Sequence, residues 1–156
     1  MKKLSRADYV RLIRKKYFAS VERQDYAAVV DCFTPDARVT IYHGDNPVQR
    51  FFKRPKKGQI SFRVFYGHLL GNYDVSFTKF HFVIDTGEGT AAATFVPKLK
   101  PKKSSSYRQT GNLQLANCNF FWYRGDKIAD MIIYYANPDL GKRLGIATKM
   151  PTAFPK

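Results

Sequence analysis

The sequence predicts an α+β fold in which helices come first and a curled, largely antiparallel sheet follows. Three observations carry this expectation. Apolar residues recur at helical spacing at the front of the chain, period-two alternation dominates from Val75 onward, and no Pro/Gly/Ser-rich stretch is long enough to separate one domain from another. A chain of 156 residues with 44% hydrophobic content can bury one sizeable core. A single domain over 1–156 is expected, its core about 5–137 and its basic C-terminal tail 138–156.

Each element has its own signal. Ser5 followed by Asp8 has the form of a capping box, and Val10, Ile13, Tyr17 and Val21 then mark a helix over about 6–22. Asp25 caps a second helix in which Tyr26, Val29, Val30 and Phe33 share a face, and Thr34-Pro35 closes it. Arg38–Tyr42 alternates as a first strand, and Gly44-Asp45-Asn46-Pro47 is turn chemistry. Ile60, Val64, Phe65 and Leu69 indicate a third, shorter helix over about 59–70, ended by Gly71-Asn72. Strands are expected over Val75–Asp85 and Thr90–Val96, then a basic Pro/Ser loop over 97–106, then a strand over Tyr107–Tyr123 that turns at Arg124-Gly125-Asp126-Lys127 into Ile128–Ala136. There is no internal repeat.

Charge is unusual: 27 Lys+Arg against 12 Asp+Glu leave a net +15. Such a surface attracts polyanions, whether nucleic acid, anionic membrane or an acidic partner. The cations cluster in Lys2 to Lys16, in Arg50 to Lys57 and in Lys98 to Lys103. Cys32 and Cys118 are in neither metal-ligand nor redox spacing and read as reduced thiols. No apolar run approaches the roughly 18 residues of a membrane span. The basic N-terminus lacks the apolar core of a secretory signal, and Asp8 with the apolar spacing favours a retained helix over a transit peptide, so the cytoplasm is the expected compartment.

The order helix, turn, helix, strand, carried by Lys16-Tyr17, Gln24-Asp25, Phe33, Asp36-Ala37 and Val39, resembles the opening of the nuclear transport factor 2-like superfamily, which includes ketosteroid isomerase and the SnoaL-like polyketide cyclases. Phe121 to Ile128 resembles that family's last hairpin, and Tyr134-Tyr135 its end, whereas 45–105 matches only in element order. The resemblance implies a cone-shaped roll: a curved mixed or antiparallel sheet with three helices enclosing a pocket, and homodimers formed through the open sheet face. It also implies roles. In ketosteroid isomerase a carboxylate moves a proton while a tyrosine and a protonated acid stabilise the oxyanion. Tyr17 falls at the oxyanion tyrosine, Ile41 at the base, and Asn119 or Cys118 at the protonated acid, depending on one gap. Period two favours Asn119, which then shares a face with Leu113, Leu115, Asn117, Phe121 and Tyr123.

Isoleucine cannot accept a proton, so His43, His68 and His81 are the substitute bases to consider, with His43 favoured by position. Tyr17 and Asn119 can still donate to one ligand oxygen; equally, Tyr17 reads as a core tyrosine with a satisfied hydroxyl. The expected site therefore comprises Tyr17, Asn119 and His43 as catalytic candidates and Val21, Phe33, Ile41, Asn117, Phe121 and Tyr134 as ligand contacts. Asp126 and Asp130 do not form a paired-carboxylate site, and no phosphate-cradling glycine loop, HExxH, nucleophile elbow or Cys/His cluster is present, so neither cofactor nor metal is implied.

Three functions remain open from sequence. The first is a pocket for a small apolar ligand carrying a carbonyl or hydroxyl, with isomerase, dehydratase or cyclase chemistry by resemblance. The second is a basic module binding nucleic acid or another polyanion non-specifically through Arg50–Lys57 and 97–108. The third is a dimeric, partner-binding domain that uses Gln114, Ala116, Cys118, Phe120 and Trp122.

Overall fold

A computed structural model describes residues 4–44 and 46–137. Helix α1 spans residues 6–22. Ser5 caps it: its Oγ accepts from the Asp8 amide at 3.2 Å, and the Asp8 carboxylate accepts from the Ser5 amide at 3.0 Å. Its middle, Leu12–Phe18, is π-helical. Two adjacent buried pairs, Leu12-Ile13 and Tyr17-Phe18, recur there at the five-residue interval of an i→i+5 helix. Helical spacing in the sequence did not reveal this wide turn, whose effect is to commit both Tyr17 and Phe18 to the core.

Helix α2, Tyr26–Asp31, starts at Asp25, whose Oδ1 accepts from the Ala28 amide at 3.0 Å. It ends earlier than expected. Phe33 is the first residue of strand β1, Phe33–Tyr42, instead of the last turn of a helix, because it pairs with Ile128 across the sheet, and the register then breaks before Arg38. Cations gather where α2 ends: Lys16 and Lys127 both pair with Asp31, and Lys53 Nζ donates to the Phe33 carbonyl at 2.7 Å. That placement complements the negative end of the helix dipole.

Strands β2 (Gln49–Phe52) and β3 (Ile60–Ser61) form the edge beside β1, and Ser61 caps helix α3, Phe62–Asn72. β4 (Tyr73–Asp85) and β5 (Thr90–Pro101) follow. The expected loop at 97–106 is corrected here: 97–101 continues β5, with Pro97 and Leu99 inward and Lys98 and Lys100 outward. The period-two signal was present, but proline and lysine masked it. The strand expected from Tyr107 is also shorter. A single 3₁₀ turn at Arg108–Thr110 precedes β6 (Leu113–Gln114), β7 (Ala116–Arg124) and β8 (Lys127–Ala136). Gly125 turns the last hairpin at φ +64°.

The sheet order is β3-β2-β1-β8-β7-β5-β4, with β6 on β5. β1 runs parallel to β8 and β3 to β2, and the other pairs are antiparallel, so the sheet is mixed. Its inner face and the helices share an aromatic core. Phe18 is at its centre, with ring centroids 4.6 Å from both Phe77 and Phe95 and 5.1 Å from Phe80. The outer face carries Phe120, Trp122 and Tyr134, all exposed and in ring contact through Phe120. Cys32 is buried and Cys118 half-buried, both as free thiols. Among the described residues, no helix is long and apolar enough to cross a membrane.

Candidate functional site

Between α1, α3 and the inner sheet face lies a cavity of about 580 Å³. Tyr17, Phe18 and Val21 of α1 form one wall, and Val64, Phe65, His68 and Leu69 of α3 another. The sheet supplies Ile41, Phe77, Phe95, Ile133 and Tyr135, with Asn117 and Asn119 from β7 and Asn137 past the end of β8. No Asp, Glu, Lys or Arg is among the described residues that line it. Volume and lining match the usual small-molecule site, an apolar enclosure with a few polar groups.

Those polar groups are unevenly satisfied. The Tyr17 and Tyr66 hydroxyls are 3.0 Å apart, and both side chains are buried. Tyr17 lines the cavity and Tyr66 lies behind it; either hydroxyl can donate in this pair, and when Tyr66 donates, the Tyr17 hydrogen is free for a ligand. Burial pushes the Tyr17 phenol far above its ordinary value despite that bond, which keeps it neutral and still carrying its hydrogen. Asn119, 2% exposed, has only a long contact from Nδ2 to Met131 Sδ at 3.8 Å. The side-chain oxygens of Asn117, Asn119 and Asn137 are buried without a partner. Three orphan acceptors in one apolar cavity are costly unless a ligand answers them.

His43 stacks on Tyr135 with ring centroids 4.1 Å apart. The Asn46 amide nitrogen donates to the His43 carbonyl at 2.9 Å and lies 3.0 Å from His43 Nδ1. A carbonyl only accepts, so the amide orientation is determined and Nδ1 is an acceptor too, which places the neutral ring's hydrogen on Nε2. In this arrangement His43 offers a donor. His68 lines the cavity at its exposed side against Tyr107, while His81 lies opposite Thr94, outside this cavity.

Six of the expected residues meet in the cavity wall: Tyr17, Val21, Ile41, His43, Asn117 and Asn119. Phe33 and Phe121 do not reach it. They are packed behind Tyr17, at centroid distances of 5.7 and 6.2 Å. Tyr134 is corrected to the outer face, where it stacks on Tyr42 at 4.8 Å; the inward residues of β8 have the opposite parity, Met131, Ile133 and Tyr135, of which Ile133 and Tyr135 line the cavity. The same parity reaches Asn137, which alternation along β8 could have found and the sequence expectations lacked. Tyr66 left no sequence signal, being 49 residues from Tyr17.

This architecture is shared with solved structures. A candidate isomerase from Bacillus subtilis superposes with a TM-score of 0.65 at 13% identity, over 96% of this chain and 100% of that one. A protein of unknown function with a cystatin-like fold from Methylobium petroleophilum gives 0.63 at 16% identity, over 99% and 100%. A candidate polyketide cyclase from Silicibacter sp. gives 0.62 at 17% identity, over 94% and 99%. No family model matches the sequence, and no curated protein does. The likeness is one of fold: the chain shares with these proteins a cystatin-like α+β fold, a curved, unclosed mixed sheet backed by helices.

Proposed function

We propose that the cone cavity binds a neutral, largely apolar ligand bearing hydroxyl groups, and that binding is retained where proton-transfer chemistry is not. The orphan oxygens of Asn117, Asn119 and Asn137 carry this reading. A hydroxyl is the group that both donates to such oxygens and accepts from Tyr17. The absence of charged lining among the described residues favours a neutral ligand over an acid or amine. Ile41 supplies no base, and His43 Nδ1 is engaged by the Asn46 amide, so any reaction would rest on polarisation by Tyr17. Isomerase, dehydratase or cyclase chemistry is the class in question because the fold is shared with candidate enzymes of the isomerase and cyclase kinds.

Calorimetric titration with planar phenols and their methyl ethers tests this. Tyr17→Phe removes one donor from a dry site, and the loss expected is roughly tenfold in affinity. Asn119→Leu should weaken the phenols by a similar factor and spare the ethers. Turnover of an unsaturated ketone should stay near background. Phenol binding indifferent to both substitutions would leave Tyr17 a core tyrosine and sink the proposal, and turnover abolished by His43→Ala would make His43 a base.

The outer face supports a homodimer as the assembly. Phe120, 38% exposed, and Trp122, 39% exposed, lie side by side on the sheet face opposite the cavity. Trp122→Glu should convert the sedimentation profile to monomer, because an unpaired charge in a desolvated interface is costly. A wild-type monomer at tens of micromolar would refute the dimer.

A further inference from the structure

We infer that the side of the molecule around the cavity mouth docks on an anionic lipid bilayer. Of the residues lining the cavity, only Gln49, Val64 and His68 are exposed, which locates the mouth between β2 and α3. Aliphatic side chains stand open to solvent beside it: Val64 is 56% exposed, Ile60 on the edge strand 46%, and Val48, next to Gln49, 38%.

Two basic segments far apart in sequence are brought to the two ends of α3. At its start is the loop 53–59, which follows Arg50 on β2 and carries Arg54, Lys56 and Lys57. At its end the segment after β5 is stapled down: the Lys102 amide donates to the Asn72 carbonyl at 2.8 Å, Lys102 Nζ to the Leu70 carbonyl at 2.6 Å, and Ser105 Oγ to Asn72 Oδ1 at 2.9 Å. This holds Lys103, Arg108 and the exposed Tyr107 near the last turn of α3. Neither segment dilutes its charge, since the sequence has no Asp or Glu over 46–73 or over 89–125.

An apolar centre flanked by cations complements a surface of acyl chains beneath anionic headgroups. Nucleic acid suits this face less well, because its exposed apolar residues are aliphatic and Tyr107 is the one exposed tyrosine available for stacking there among the described residues. The cavity, apolar and without charged lining, opens on this same side. The docking surface stands whether or not the ligand is a phenol.

Vesicle co-sedimentation of the full chain at low salt tests the inference, comparing phosphatidylcholine with an equal mixture of phosphatidylcholine and phosphatidylserine. Partition onto the mixed vesicles and not onto phosphatidylcholine alone is expected. Each cation removed from the contact should cost about fivefold, so Lys56→Gln with Lys57→Gln should lower the partition by at least about tenfold. Ile60→Asp should also lower it, whereas Arg6→Gln with Lys15→Gln on α1 should change it by no more than about twofold. No partition of the wild-type chain, or an equal loss in the α1 pair, would overturn the assignment. So would a single-stranded oligonucleotide that displaces the vesicles and is itself weakened by the Lys56 and Lys57 changes, because the face would then serve nucleic acid.

Discussion

Raising the pH through about 10 is expected to unfold this protein steeply, because several of its tyrosines cannot ionise in place. Burial raises the phenols of Tyr17, Tyr66 and Tyr123 well above their ordinary value, and the Tyr123 hydroxyl oxygen is buried without a partner. A group whose folded pKa lies above its unfolded one keeps its proton in the folded state while the unfolded chain gives it up. The stability it contributes is therefore complete below about 10 and is lost as pH climbs above that value. Each such phenol tilts stability by about 1.4 kcal/mol per pH unit, so three together remove about 4 kcal/mol per unit. The buried Cys32 thiol, pushed up from 9.0 to about 11, works in the same direction from a lower starting pH. Urea midpoints taken at steps from neutral to strongly alkaline pH would show the slope, and Tyr66→Phe should flatten it. All ten tyrosines titrating together near pH 10 in a chain that stays folded would contradict this account.

Phe18→Ala should cost about 3–5 kcal/mol of unfolding free energy, the upper end of single-residue effects. The side chain is 2% exposed, and five aromatic rings surround it: Tyr17, Phe77, Phe80, Phe95 and Phe121. These rings belong to α1, β4, β5 and β7, so no small shift of one element can close the space left behind. Because Phe18 also lines the cavity, the vacated volume joins the ligand site, and bulkier ligands should gain affinity in the same variant. Phe120→Ala on the outer face serves as the comparison. In the monomer it should change stability by less than about 1 kcal/mol, since that ring is already half-solvated. A loss below about 1 kcal/mol for Phe18→Ala would show that the core collapses around the missing ring.

The sequence alone was enough for whatever depends on neighbouring residues. The Ser5–Asp8 box started α1 and Asp25 started α2, and the parity of β7 put Asn117 and Asn119 on the inner face, since caps and alternation are read within a few residues. The helix-first, sheet-after order was legible for the same reason. Only tertiary structure decided where distant segments meet. Phe33 left the helix for a strand because Ile128 pairs with it, and residues 97–101 became strand because β4 and β6 flank them. Tyr135 replaced Tyr134 at the cavity through the register of β8 against β1 and β7, where a break of one residue reverses every side chain. The Tyr17–Tyr66 hydroxyl pair and the contact of the Asn46 amide with His43 are likewise products of packing. Local propensity acts through backbone geometry and is written in adjacent residues, whereas register and hydrogen-bond partnership are selected by burying one face of the whole sheet at once, and that choice exists only when the chain has closed on itself.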